Sequence, residues 1–328
     1  MRAYRMQEAD GRLQLQLEDV PRPEPGPGQL LLRVRAAGLN RGEFIAGHGL
    51  HARGGGAKPI GNEAAGEVVA IGPGVQGWHP GDRAMGRCPG AFAEYAILHT
   101  REALPVPAAL DWVHAGAIPL TFMVVYDMLV LQGRLRTGET LLVAGVTSGV
   151  GVSALLAAKA MGARVVGTSG SAAKLARLQA AGLDVALCTR SPDFVDAVRE
   201  ATSGRGADLA IDTVGGSVFA ACVASLGFQG RLAMIGYVDG VLRAELDLEA
   251  LHAKRLHLFG VSNKLRTPEQ RAEPVPGFRA DWLPLFAGGQ LCPIVDRVFA
   301  FEQLEEARAR MEAGEHLGKI VLDGSRDS

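Results

Sequence analysis

Residues 141–162 read LLVAGVTSGVGVSALLAAKAMG, and few folds accommodate such a segment. Residues 141–144 form an apolar run short enough for a buried strand. Three glycines follow, Gly145, Gly149 and Gly151, and residues 150–161 have helical composition with Gly162 as the stop. A strand that passes through a glycine turn directly into a helix is the opening of a βαβ unit. Residues 164–168, 208–212, 231–235 and 256–261 read as further strands, and residues 172–181, capped by Gly182, as a second helix. This alternation predicts a doubly wound parallel sheet.

Upstream of about Ala115 the pattern is different. Residues 13–17 alternate, a polyproline-like stretch occupies 21–28, and residues 29–36 and 66–71 are strand candidates. Turns fall at Gly72-Pro73-Gly74 and His79-Pro80-Gly81-Asp82, and GAFAEYAIL (90–98) closes the region. Many short strands with turn punctuation predict a barrel-like β domain. After Gly260 a polar, proline-containing loop leads to a helix at 304–312 and a last strand at 319–322, which breaks the βαβ rhythm and predicts a return to the first domain. A length of 328 residues fits two domains.

Composition narrows the function classes. Apolar residues are 48%, charged residues 21%, and the formal net charge is −1 with no basic stripe. Nucleic acid and anionic membranes are not expected partners. No apolar run approaches a membrane span, and the N-terminal segment has no signal core. Four well-separated cysteines, Cys88, Cys188, Cys222 and Cys292, predict a reduced, cytoplasmic setting. No nucleophile elbow of the hydrolase kind is present.

The glycine turn points to a dinucleotide. Gly145 permits a tight exit from the strand, and Gly149 and Gly151 let backbone approach a pyrophosphate at a helix N-terminus, with Ser148 and Val150 beside them. The spacing is GxxxGxG where the standard fingerprint is GxGxxG, so the flanking strand and helix carry the reading. Cofactor choice follows from charge. A site for NAD places an acid after the second strand to accept from the ribose hydroxyl, yet residues 140–183 contain no acid. Thr168, Ser169 and Ser171 stand there instead, with Lys174 one turn on and Arg190 farther along, before the strand at 208–212. Hydroxyls and cations suit a 2′-phosphate, and the expected cofactor is NADPH. An ordinary solvated helix lysine is the plain alternative for Lys174.

Five segments in register resemble the medium-chain dehydrogenase/reductase superfamily, on its zinc-independent NADPH:quinone oxidoreductase (zeta-crystallin-like) branch. They are AAGLNR (36–41), GNEAAGEVV (61–69), GAFAEY (90–95), IDTVGG (211–216) and GKIVL (318–322). The resemblance implies a GroES-like substrate domain, residues 1–119 and 262–328, and a Rossmann NADPH-binding domain, residues 120–261. It also implies a homodimer. Zinc-dependent relatives carry Cys where Asn40 stands and His where Asn62 stands. Amides are poor zinc ligands, Cys88 has no cysteine near it, and Glu63 alone makes no site, so no metal is expected. Lewis-acid activation of an alcohol is then absent. Ile45, Gly47, Val124 and Thr189 depart from the branch's pattern, which weakens transfer of its substrate.

The expected reaction is hydride transfer from NADPH to a quinone or similar activated carbonyl. The rival enzyme reading is an alkenal or enoyl reductase acting on α,β-unsaturated carbonyls. A non-catalytic NADPH-binding protein is the reading from another class. Asn40 is the candidate polar group beside the nicotinamide or acceptor oxygen, against a turn-forming asparagine. Tyr126 and Tyr237 are candidate donors to a carbonyl oxygen, against packing at a domain edge. Val214, Gly236, Gly260 and Val261 fall at the ends of the strands at 208–212, 231–235 and 256–261, toward the cofactor. Phe44 and Asn263 are candidates for the substrate pocket, with Phe122 and Trp282 as further apolar wall or core. His48 and His51 lie on a glycine-rich stretch, 47–56.

Overall fold

A computed structural model describes residues 1–9, 12–45 and 57–324; His48 and His51 lie outside the described residues. The strands in chain order are β1 (Arg2–Ala9), β2 (Arg12–Asp19), β3 (Gln29–Gly38), β4 (Lys58–Pro59), β5 (Glu63–Ile71), β6 (Arg83–Arg87), β7 (Tyr95–His99) and β8 (Ala103–Pro105). There follow β9 (Thr140–Ala144), β10 (Arg164–Ser169), β11 (Val185–Cys188), β12 (Ala207–Asp212), β13 (Leu226–Met234), β14 (His257–Gly260), β15 (Val295–Ala300) and β16 (Lys319–Asp323). The chain divides into two compact units, Met1–Met123 with Asn263–Ser328, and Val124–Ser262.

The first unit holds a three-stranded sheet, β2-β1-β4, and a seven-stranded sheet ordered β15-β16-β3-β5-β6-β8 with β7 also on β3. Its strands pair antiparallel, apart from β15 on β16. The core gathers Leu30, Leu32, Phe92, Leu98, Ile320 and Leu322, so the C-terminal strand is an integral part of this unit. Apolar side chains from alternate positions of several strands fill one interior, which is how short strands of low individual stability hold together.

The second unit is a six-stranded sheet, β11-β10-β9-β12-β13-β14, parallel throughout. Numbered within the unit, that order is 3-2-1-4-5-6, the Rossmann order, and the direction of winding reverses between β9 and β12. All five residues of β9 are buried, as a central parallel strand covered on both faces requires. Every strand of this sheet delivers its carboxyl end to the same edge.

Arg2–Ala9, polar and alternating in sequence, pairs with β2 along its whole length. One segment departs from what the sequence pattern predicts. Residues 263–303, which read as a polar loop, contain three short helices, Pro268–Ala272, Val275–Asp281 and Leu283–Ala287, as well as β15. The prolines explain the difference. Pro268, Pro276 and Pro284 sit in first turns, where a missing N–H has no intrahelical acceptor to lose. Phe278, Trp282 and Phe286 of these helices are buried, with Phe278 5.7 Å from Trp282 and Phe286 5.1 Å from Phe122 between ring centroids. Trp282 and Phe122 are therefore core. Phe278→Ala is expected to lower stability by about 3–5 kcal/mol in urea unfolding; a loss below about 1 kcal/mol would show that these helices do not contribute to the core.

Candidate functional site

At the carboxyl end of β9 the chain turns through Gly145, whose φ of 79° lies in the left-handed region. A Cβ there would stand 2.3 Å from Thr213 Oγ1, and one on Gly151 would stand 2.5 Å from the Gly145 carbonyl oxygen. Both glycines are fixed by space, and Gly145 by torsion as well. Thr213, just past β12, donates its hydroxyl to the Ala144 carbonyl at 2.8 Å, which ties the turn to the neighbouring strand. Ser148 caps the helix Gly149–Ala160, its Oγ accepting from Gly151 N–H at 3.0 Å. That hydroxyl oxygen is thus engaged in the cap. The Gly149 and Val150 N–H groups open the first turn, where no intrahelical acceptor exists, at the positive end of the helix dipole. The cradle fits a pyrophosphate.

At the end of β10, Thr168 is buried and its Oγ1 accepts from Gly145 N–H at 3.2 Å, which helps to shape the turn. Ser169 Oγ shares a hydrogen bond with Thr147 Oγ1 at 3.0 Å and accepts from Ser171 N–H at 3.3 Å. Ser171 caps the helix Ala172–Ala180, and Lys174 lies half-buried in its first turn. Arg190 lies across Gly170: a Cβ on that glycine would meet its Nε at 2.0 Å. The backbone at Gly170 thus has the Arg190 side chain, from the chain segment after β11, lying across it.

At the ends of β12 and β13, Asp212 Oδ1 accepts from Val214 N–H at 2.8 Å and Gly215 N–H at 2.9 Å. Burial, reinforced by Asp239, pushes the Asp212 carboxyl up to about 6 despite these two N–H donors. Gly236 follows β13 and Gly260 ends β14, while Val261 is buried and donates its N–H to Met234 O at 2.9 Å. Tyr237 is 53% exposed in the turn after β13, whereas Tyr126 is buried at the end of the helix Pro119–Tyr126.

The first unit contains a second polar concentration. Lys319, opening β16, is 3% exposed and its Nζ donates to Glu63 Oε1 at 2.6 Å, Leu39 O at 2.9 Å, Asn40 Oδ1 at 2.9 Å and Thr121 Oγ1 at 3.2 Å. Asn40 Nδ2 donates to the same Glu63 oxygen at 2.9 Å, and Glu63 Oε2 accepts from Leu120 N–H at 2.8 Å at the start of a helix. Glu43 is fully buried; it accepts from Asn40 N–H at 2.9 Å and from Asn62 Nδ2 at 3.3 Å. Burial pushes its carboxyl up to about 7, although Asn40 N–H and Lys319 pull it down. A Cβ on Gly38 would stand 2.6 Å from Glu63 Oε1, so the glycine of AAGLNR leaves room for this carboxylate.

Asn40 therefore has both ends of its amide engaged inside the unit, on the remote side chains of Glu63 and Lys319. Phe44 is likewise packed, its ring stacked on Phe92 at 6.4 Å within the core. Asn263 is half-buried, its carbonyl accepting from Arg266 N–H at 3.3 Å. Lys319 and Glu43 escape a reading of the sequence alone. A lysine heading an apolar strand, and a Glu three residues after an Asn in capping-box spacing, are the signals that point to them.

Comparison with known proteins follows this division. The zinc-binding dehydrogenase family matches residues 149–272, and the alcohol dehydrogenase GroES-like domain matches residues 26–108. A stretch of a phenolphthiocerol/phthiocerol polyketide synthase of Mycobacterium tuberculosis is 33% identical over 323 residues, 98% of this chain. The chain spans only 15% of that synthase's length. A mycobacterial protein solved in complex with NADPH is 28% identical with a TM-score of 0.86, covering 98% of this chain and 100% of its own. A mycobacterial quinone oxidoreductase is 28% identical with a TM-score of 0.84, covering 98% and 99%.

The buried Asp212 gives a pH dependence with a definite sign. Its carboxyl titrates at about 3.9 when unfolded and at about 6 when folded, so its contribution is full below pH 4 and falls away as pH rises through 6. Asp212→Asn removes this titration. Between pH 4 and 7 the variant is expected to gain on the wild type by roughly 1–2 kcal/mol in urea unfolding; a constant difference across that range would refute the assignment.

Proposed function

The chain belongs to the medium-chain dehydrogenase/reductase superfamily, on its quinone-oxidoreductase-like branch, and from that premise we propose that it is an NADPH-dependent reductase of quinones or comparably electron-poor carbonyl compounds, working without a metal ion. The observation that carries the cofactor is the end of β10. No acid stands between 140 and 183, and Arg190 lies over Gly170 with Lys174 in the next turn. A carboxylate here would repel a 2′-phosphate; two cations attract it.

Bound NADPH supplies the hydride, and a proton completes reduction of the acceptor. The chain's own work is placement. Gly149 and Val150 N–H hold the pyrophosphate, with Ser148 and Gly151 shaping the turn around them. Ser169, Ser171, Lys174 and Arg190 hold the 2′-phosphate. Val214, Gly236, Gly260 and Val261 present backbone along the strand ends, and exposed Tyr237 is available to an acceptor oxygen. The amides of Asn40 and Asn62 stand where a metal would need thiolate or imidazole, so the acceptor is one that needs no Lewis acid.

A second reading, reduction of an α,β-unsaturated thioester or ketone, is supported by the relative whose matching stretch belongs to a polyketide synthase. Fluorescence titration tests the cofactor reading. Lys174→Ala combined with Arg190→Ala is expected to weaken NADPH binding at least tenfold, about 1.4 kcal/mol or more, while NADH binding holds. Equal NADPH affinity in wild type and variant would overturn the 2′-phosphate site.

A further inference from the structure

The polar group around Lys319 calls for an explanation, because burying an ammonium and two carboxylates is costly unless each meets a partner. Four oxygens surround Nζ, from Leu39, Asn40, Glu63 and Thr121, and all four act as acceptors. A shell made only of acceptors is what a cation needs, whether an ammonium or a metal ion. The distances decide between them. At 2.6–3.2 Å the shell has hydrogen-bond dimensions, whereas oxygens on a divalent ion stand at roughly 2.0–2.6 Å. Glu63 is engaged further, since its Oε1 accepts from Asn40 as well and its Oε2 accepts from Leu120 N–H.

We infer that the ammonium of Lys319 is the built-in cation of this pocket: it supplies from a side chain the positive charge that holds Asn40 and Glu63 in place, and it keeps a divalent metal ion off the same oxygens. This deepens the metal-independent part of the reading above, but it depends on neither the cofactor nor the acceptor, and a stability readout separates its failure from theirs. Removing the ammonium leaves Glu63, Asn40 Oδ1, Thr121 Oγ1 and the Leu39 carbonyl facing a vacated space. Such an all-oxygen donor set suits a hard ion and not zinc.

The test is thermal unfolding of the whole protein with and without millimolar Mn²⁺. The wild type is expected to show no Mn²⁺-dependent shift. Lys319→Ser is expected to unfold about 10 °C lower and to regain several degrees as Mn²⁺ is added, a response that loss of packing alone does not produce. A wild-type melting temperature raised by Mn²⁺, or a Lys319→Ser protein that folds but ignores it, would overturn the inference. Should Lys319→Ser be too unstable to isolate, a double-mutant cycle decides. Lys319→Met and Glu63→Gln together are expected to lose clearly less than the sum of the single losses, and additivity would overturn the inference.

Discussion

The contact between Lys319 Nζ and Glu63 Oε1, at 2.6 Å and away from solvent, is the interaction on which the first unit most depends. Four remote stretches meet at it: the end of β3, the start of β5, the helix that begins at Pro119, and the start of β16. Breaking one side of a buried pair strands the other charge, at a cost of about 3–5 kcal/mol. That asymmetry links residues far apart in the chain. Gly38 must lack a side chain because the carboxylate fills its space, and Asn40 is turned inward because the ammonium and the carboxylate take both ends of its amide.

In the second unit the controlling constraint is topological. Parallel strands place all their carboxyl ends along one edge, and the reversal between β9 and β12 leaves that edge open at the glycine turn. Thr213 then fastens the turn from the β12 side while Thr168 fastens it from the β10 side. The turn is held by its two neighbouring strands, which is why a spacing other than GxGxxG still yields an ordered helix N-terminus. The same geometry brings Arg190, from beyond β11, across the backbone that follows β10.

Much of this is legible in the chain alone. The helix at 304–312 and the central strands follow from periodicity, because long amphipathic or fully apolar runs carry their own signal. The proline-bearing helices between 268 and 287 do not, since a proline in a first turn looks the same in sequence as one in a loop. The acid-free stretch after β9 is readable because it concerns charge along neighbouring residues. The Lys319–Glu63–Asn40 cluster is not, because Lys319 lies 256 and 279 positions from its two partners and only the folded sheet brings them together. The part Thr168 plays in the turn is hidden for a related reason: a hydroxyl in sequence does not reveal that its oxygen accepts from the N–H of Gly145, 23 positions away.

The proposed reductase would draw its positive charges from side chains, from Lys174 and Arg190 for the 2′-phosphate and from Lys319 for the buried pocket. The most direct test is the rate of NADPH oxidation with a 1,4-naphthoquinone acceptor, measured after exhaustive dialysis against a strong chelator and again after zinc is restored. Turnover is expected to be undiminished by the chelator and unimproved by zinc, with NADH a poor substitute. Activity that disappears on chelation and returns with zinc would contradict a metal-independent reductase.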